Sequence, residues 1–588
     1  MAGFFPAYAL LISVVLFLGG ITPLFAAEPV TVEVTGVEGE PLKNVQEALA
    51  LPYGLVQDGK VDRHWFDRFA KQAGEKARNA LEPYGYYHAL VTATVAEVQK
   101  GKYRLLVAVI PGTPVRLTQV DVLLLGPGAD EAALRRLATE FPLDKGDIML
   151  QPDYERAKNR LKASAVDLGY LDADFTRHEI RITRDAINAS IGLTLQTGQR
   201  YYFGDVRIEG APDYPQLYLK RFVTFQAGDV YSSAKLGETQ LNFSNSERFK
   251  EVLITPEKQQ AMATRVPVLV KLTAAPSRTL RPGVGYGTDT GARFTVHYRD
   301  MNLFHEGQDL NLKLYLAERL QGFAALYSRP SPQDIKSSTS VQLNLQREDV
   351  TTYVSSLAAL ELARNRSFGQ GELGTAYLRL QQENFTIAGE TSSSRLVLPG
   401  VRFMKEHYDN MIRPTSGYRY SLDLRGAHRY IGSDSSLVQL ITVGNILVPM
   451  PARLTLNLRG KAGASLLADP LGELPPSIRF FAGGDQSVRG YSYQSLGPRG
   501  ATGEVVGGKH LLFGSVELER AIFKNWGVSL FYDTGNAFND FKDFQLYQGA
   551  GIGAHYYTPV GGLNFSLARQ LGTSGNSYHI HFTVGFQL

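Results

Sequence analysis

The hydrophobic pattern of the chain changes period near its middle. Up to about residue 276, apolar positions recur at helical spacing between short strand-like runs, and from Ser277 onward they alternate with polar positions. In the first part, Phe66, Phe69, Ala73, Ala77 and Ala80 form one stripe of an amphipathic helix, and Tyr154, Ala157, Leu161, Ala165 and Leu168 repeat its spacing. A third, less regular helix is predicted over about 232–245. Strand pairs follow, 89–98 with 103–110 and 171–182 with 187–195. Gly85-Tyr86, Gly169-Tyr170 and Arg248-Phe249 each close a helical pattern and open a strand pair, and Asp58-Gly59, Gly146-Asp147 and Gly228-Asp229 precede them in turn. Three units of strand, helix, helix, strand, strand are expected. Their period of about eighty residues exceeds the ~20–50 of solenoid repeats, which makes them small domains in series.

In the second part, Leu310, Leu312, Leu314 and Leu316 alternate with Asp309, Asn311, Lys313 and Tyr315. Segments 341–346 and 454–459 repeat the pattern, and Tyr418, Tyr420, Leu422 and Leu424 share one face. Charges on one face with Leu and aromatics on the other are the mark of strands that cross a bilayer. Spanning strands of ~9–11 residues leave room for about sixteen. The chain closes on a strand, 580–588, with Ile580, Phe582, Val584, Phe586 and Leu588 on one face.

A length of 588 residues asks for several domains. The 58 Gly, 30 Tyr and 30 Phe suit tight turns and aromatic girdles. With no Cys there are no disulfides, thiolate metal sites or Cys nucleophiles. A net charge of +4 without a Lys/Arg tract gives no electrostatic case for nucleic acid. The apolar run 7–25, ending at Ala26-Ala27-Glu28, reads as a secretory signal peptide cleaved near Ala26 or Ala27, the alternative being a retained anchor. Elsewhere nothing approaches the ~18 unbroken apolar residues of a spanning helix, so a membrane role has to come from a barrel.

The segment Gly483-Gly484-Asp485-Gln486-Ser487-Val488-Arg489-Gly490-Tyr491 is too polar and Gly-rich to span, and is expected to be part of a long loop. Its single Arg, between a small residue and a Gly-aromatic pair, suggests a guanidinium fixed in a confined space. Pointing into a lumen, Arg489 needs a counter-charge, because an unpaired buried guanidinium costs several kcal/mol. Asp533 is the first candidate, since alternation with Leu530, Tyr532 and Thr534 turns it inward; Glu517 is the second. Gly283, Gly285 and Gly287 lie on one face of the first barrel strand and Gly585 lies in the last. Interior glycines weaken a strand. Either the seam between these strands opens sideways, or the small residues make room for the inserted loop; the two readings are compatible.

Val488-Arg489-Gly490-Tyr491 resembles the loop-six motif of the outer-membrane assembly and secretion superfamily, whose members join periplasmic POTRA modules to a 16-stranded barrel. The stretch through Ser492-Tyr493-Gln494-Ser495-Leu496-Gly497-Pro498 is most similar to the TamA family, the barrel subunits of the translocation and assembly module. The resemblance implies an all-β transmembrane barrel of about 16 antiparallel strands, residues 277–588, preceded by three small α+β POTRA modules. The modules take residues 28–113, 114–199 and 200–276, behind a signal peptide at 1–27. It implies the outer membrane of a Gram-negative bacterium, with the modules in the periplasm, and an Asp, here Asp533, that holds the loop arginine. The implied partners are a TamB-like inner-membrane-anchored periplasmic protein, unfolded outer-membrane clients including autotransporters, and outer-membrane phospholipid. A POTRA sheet exposes an edge strand that can accept an extended segment by backbone pairing, a rigid spacer being the alternative. General barrel-assembly subunits usually carry five modules, and two-partner secretion translocators two with a plug helix. Three fit here. A passive pore, from a different class, would need neither the modules nor the loop motif.

Catalytic motifs fail on inspection, and an enzyme, a cofactor and a metal site are not expected. Gly503-x4-Gly508-Lys509 imitates a phosphate loop, but His510 replaces the Ser/Thr and a strand follows in place of a helix. His579 and His581 share a strand face without an evident third ligand, and no Gly-x-Ser-x-Gly elbow occurs.

Overall fold

The computed structural model describes residues 29–585 except 58–59, 100, 184, 186, 333, 411–412, 502, 559–560 and 573–577. The expected signal peptide, the Asp58-Gly59 marker and the terminal Phe586 and Leu588 lie outside the described residues.

The first module contains β1 (Val30–Thr35), α1 (Gly39–Ala48), a hairpin of β2 (Val56–Gln57) and β3 (Lys60–Val61), α2 (Arg63–Leu81), β4 (Leu90–Gln99) and β5 (Lys102–Ile110). The second contains β6 (Arg116–Leu125), α3 (Ala132–Thr139), α4 (Gln151–Asp167), β7 (Asp174–Ile182) and β8 (Asn188–Gln196). The third contains β9 (Tyr202–Glu209), α5 (Gln216–Lys220), α6 (Ser233–Ser244), β10 (Phe249–Pro256) and β11 (Arg265–Ala274). The last strand of each module is central in its sheet: β1-β5-β4, β6-β8-β7 and β10-β11-β9. The predicted helical stripe is buried on α2, at Phe66, Phe69, Ala73, Ala77 and Ala80, and Asp62 caps that helix by accepting the Trp65 N–H. The stripe on α4 buries Tyr154, Leu161 and Ala165. Each of these two modules has its own apolar cluster. The β2–β3 hairpin escaped the sequence reading because two residues per strand leave no period to detect.

The repeated Gly-Tyr markers have a structural reason. Gly85 and Gly169 both adopt positive φ, +86° and +94°, as the chain leaves the second helix of a module. Each carbonyl then accepts an N–H from the start of the next module, Val115 to Gly85 at 2.9 Å and Tyr201 to Gly169 at 2.7 Å. A Cβ on Gly169 would lie 2.8 Å from the Tyr201 carbonyl oxygen. At the third marker the positive φ moves to Glu247, at +60°, and the Arg248 carbonyl accepts from Ala275 at 2.8 Å, the step into the barrel.

Sixteen strands close the barrel in sequence order: β12 (Arg278–Gly287), β13 (Gly291–Leu303), β14 (Gln308–Ala317), β15 (Leu320–Pro330), β16 (Ser337–Asp349), β17 (Tyr353–Gly369), β18 (Glu372–Ile387), β19 (Glu390–Tyr408), β20 (Gly417–Ala427), β21 (Leu437–Met450), β22 (Leu454–Leu467), β23 (His510–Ala521), β24 (Trp526–Phe538), β25 (Tyr547–Thr558), β26 (Gly561–Leu571) and β27 (Tyr578–Gly585). Outward positions such as Leu378, Leu380, Tyr420, Leu422, Leu424, Leu440 and Leu530 are exposed as an apolar band, as alternation predicts. The expected strand length is corrected. β17, β18 and β19 run for 17, 16 and 19 residues, well beyond a bilayer crossing. The start of β19 buries Leu396 and Leu398 against Leu474 and Ile478 of the β22–β23 connection, so the extension serves as a wall for that segment.

Substituting Gly169 with Ala is expected to destabilise the periplasmic part by about 1–3 kcal/mol, through positive φ and the close carbonyl together. Circular dichroism melting of the full chain would show it as an earlier first transition, with the barrel transition unmoved.

Candidate functional site in loop six and the closing seam

Residues 468–509, between β22 and β23, form loop six and bring the motif arginine to the inner wall. Arg489 is 5% exposed. Its Nε and Nη2 donate to the two oxygens of Asp533 at 2.7 and 3.0 Å, and its backbone N–H reaches the same carboxylate at 3.1 Å. Nη1 donates to Glu517 at 3.0 Å, and the guanidinium lies 3.4 Å from the centre of the Phe531 ring. This fork-on-carboxylate arrangement, with a second carboxylate and an aromatic face, is the geometry that arginine supplies and lysine does not. Both acids face inward because they alternate with the outward Val516, Leu530 and Tyr532; Asp533 is 0% exposed. Glu517 also accepts from Ser529 at 2.6 Å and contacts His555 at 3.1 Å. His555 contacts Asn564 at 2.8 Å, and Asn564 donates to Thr583 at 3.4 Å. A line of side chains thus runs from the loop arginine to the last strand.

The rest of the motif fastens the loop. Val488 and Tyr491 are buried with Phe480, Leu496, Leu511 and Phe513, and Tyr491 meets Tyr547 edge-on at 5.6 Å. Gly490 has φ +98°, and a Cβ there would come within 3.3 Å of the Arg569 backbone. Its N–H donates to His581 Nε2 at 3.0 Å and its carbonyl accepts from Gln570 at 2.7 Å. On the opposite wall, Glu383 accepts from Ser355 at 2.7 Å and from Ser477 of the loop, while Tyr493 donates to Glu348 at 3.1 Å. The sequence reading missed Glu348 and Glu383, which stand among other polar inward residues with no local signal to single them out.

Among the described residues β12 and β27 pair only at Tyr286 with Val584 and Gly287 with Thr583, whereas β12 and β13 pair along the whole of β12. Further backbone and side-chain bonds flank these two pairs. Thr288 donates its N–H to the Phe582 carbonyl at 3.1 Å and its hydroxyl to Asp485 of loop six at 3.1 Å. The Asp485 N–H donates to Asp289 at 2.7 Å. His581 Nε2 accepts from Gly490, so its Nδ1 carries the proton donated to Asp485. Gly283 and Gly285 turn inward, but their face is not left unpacked. Thr295 and Arg293 occupy it, and Arg293 crosses β12 to donate to the Val584 carbonyl. A Cβ on Gly285 would sit 2.6 Å from both Arg293 and that carbonyl. Gly287 lies at the pairing itself, and Gly585 pairs with Gly562 of β26.

Asp289, Asp485 and His581 bring their ligand atoms within 4.8 Å of one another, a grouping that sequence separation concealed. The third group that His581 seemed to lack is therefore present, and His579 is not part of the set. Two carboxylates and an imidazole can in principle hold a transition metal. Here each is already engaged by a neighbouring donor or acceptor. Burial first, and then the Asp485 charge, push the Asp289 carboxyl up to about 6 from its ordinary 3.8.

Arg489→Ala would strand the buried Asp533 and Glu517, and a loss of about 3–5 kcal/mol is expected, read as lower heat-modifiable barrel stability and greater protease sensitivity of the loop. Because Glu517 faces the same guanidinium, exchanging the charges of 489 and 533 should recover only part of that loss. Asp289 contributes stability that is complete below pH ~4 and lost as pH rises through about 6. Asp289→Asn should therefore stabilise the barrel at pH 7.5 by on the order of 1 kcal/mol and have little effect at pH 4.5, as measured by melting across that range.

Comparison with known proteins accords with this geometry. The profile described as the Omp85 superfamily domain matches residues 279–588, and that described as TamA POTRA domain 1 matches residues 31–111. The outer membrane protein assembly factor BamA of Nitratidesulfovibrio vulgaris Hildenborough is 22% identical over 532 residues, which cover 85% of this chain and 66% of that protein, so the chain spans just under two thirds of this relative. Among solved structures, BamA of Haemophilus ducreyi lacking POTRA domains 1–3 superposes with a TM-score of 0.66 at 17% identity, covering 80% of this chain and 99% of that one. CdiB of Escherichia coli gives 0.51 at 14% identity, covering 91% and 100%. With the superfamily profile spanning the whole barrel and the loop-six arginine seated on two buried strand acids, the chain belongs to the Omp85 superfamily, as an outer-membrane barrel with periplasmic POTRA modules.

Proposed function

We propose that the protein inserts client barrel strands into the outer membrane by opening the β12–β27 seam, with loop six holding the seam closed until a client arrives. The observation that carries this reading is the closing pair itself: among the described residues, two residue pairs, supplemented by Thr288, Asp485, His581 and Arg293. A closed barrel has no free edge, so a client strand can be templated only where one hydrogen-bonded pair separates. No hairpin joins these strands, and among the described residues fewer backbone pairs join them than join β12 and β13. With no ATP in the periplasm, client folding in the bilayer supplies the free energy.

Within the superfamily the TamA-type role is the reading adopted, with a TamB-like inner-membrane-anchored partner, clients that include autotransporters, and assistance to phospholipid transport. The match of the first module to the TamA profile supports it, as do three modules where two-partner translocators usually have two. The edge strand β4 leaves Leu90, Val95 and Val98 exposed beside its unpaired backbone, a surface suited to an added partner strand. A passive pore is disfavoured because loop six is fixed to opposite walls of the lumen.

Cysteines at Tyr286 and Val584 fall directly opposite in the seam, within reach of a disulfide, and the chain has no other Cys. Oxidation of that double variant should abolish client insertion in reconstituted membranes, and reduction should restore it. Full insertion by a quantitatively cross-linked barrel would rule out the lateral gate.

A further inference from the structure

A cavity of about 170 Å³ opens at the periplasmic end of the barrel, where strands β14 and β16 begin and β15 ends. It is lined by Arg221 and Arg248 of the third module and by Asp309, Lys336, Ser337 and Ser338 of the barrel. A water molecule needs only about 10–15 Å³ by this measure, so the space suits a larger group.

Its cations exceed its anions. Arg221 stacks on Tyr218 and Phe222, 5.1 and 5.5 Å from the ring centres, yet among the described residues its buried Nε has no hydrogen-bond partner. Stacking fixes a guanidinium in place and leaves its five donors for something else. Arg248 donates to the Ser246 and Gly307 carbonyls and to Asp309, at 3.2, 3.1 and 3.2 Å, while among the described residues its buried Nε has no partner. The Lys336 side chain adds a third cation to the lining. The nearby carboxylates are already shared: Asp309 also takes Arg299 at 3.1 Å, and Asp334 takes the Lys336 backbone N–H at 2.8 Å, with Arg366 at 3.9 Å. Burial, with Arg248 close by, lowers the pKa of Arg221 from its ordinary value; a bound anion would relieve this strain.

We propose that this cavity is a binding site for a phosphate group, held by Arg221, Arg248 and Lys336 with Ser337 and Ser338 beside it. Guanidinium donors that no carboxylate takes match phosphate oxygens in number and geometry. Position limits the source. The cavity lies where the strands emerge on the module side, so a periplasmic phosphate group, either free or carried by a phospholipid headgroup, is the ligand class it would meet. The assignment does not depend on strand exchange at the seam, and goes beyond it by giving the third module a ligand.

The test uses the full chain in a maltoside detergent, with dihexanoyl phosphatidylglycerol and inorganic phosphate as separate probes and native mass spectrometry as the readout. Wild type should retain one phosphatidylglycerol, and Arg221→Gln should weaken retention about tenfold or more, the equivalent of one charge-assisted hydrogen bond. Lys336→Gln, at an exposed position, should weaken it several-fold and carries the test if Arg221→Gln fails to fold, heat-modifiable migration being the check on folding. Retention of the lipid alone assigns the site to a headgroup, of phosphate alone to a soluble phosphate, and of both to the phosphate group as such. Each supports the site provided the variants lose it. Folded variants that bind like wild type, or a wild type that retains neither probe, would overturn it.

Discussion

A guanidinium buried inside the barrel has to be neutralised, and much of the upper half of this structure follows from how that is done. Arg489 is held by Asp533 and Glu517 from adjacent strands and covered by the Phe531 ring. Desolvating one cation and two anions is costly, and the arrangement is stable only because nearly every donor finds an acceptor. Loop six therefore has little freedom at this point. Its backbone approaches β25 and β26 closely enough to need Gly490 and a side-chain-free Gly549. The long β17–β19 wall supports its other limb.

The same fixed loop adds side-chain contacts at the seam. Beside the described pairs of β12 and β27, Thr288, Asp485 and His581 continue the connection through loop six, and Arg293 crosses the glycines of β12 to reach Val584. Backbone ladders separate only residue by residue. A clasp made of a few side chains can be released together if the loop shifts by a small distance. The line of contacts from Arg489 through Glu517, His555 and Asn564 to Thr583 links the loop's anchor to the last strand.

The modules solve a different problem, that of joining small cores in series. Each linker starts by donating an N–H to the carbonyl at the end of the preceding module's second helix, at Gly85, Gly169 and Arg248. The repeated marker in the sequence is the covalent record of that joint. Its third copy lacks Gly because the left-handed residue has moved back to Glu247.

Period and composition alone were enough to establish three α+β units and an outward-apolar barrel of about sixteen strands, because burial on one face imposes a 3.6- or two-residue rhythm that local sequence has to obey. The Arg489 pairing with Asp533 and Glu517 was legible for a related reason: an inward charge needs an inward counter-charge, and alternation says which residues turn inward. Other features were decided only in three dimensions. Asp289, Asp485 and His581 lie on three separate segments, Glu348 and Glu383 look like any lumen-facing acid, and Arg221 looks like any basic residue of a soluble module. Their roles depend on the shear of the barrel and the path of loop six, which bring together residues up to nearly three hundred positions apart. Local periodicity carries no information about contacts made across that distance.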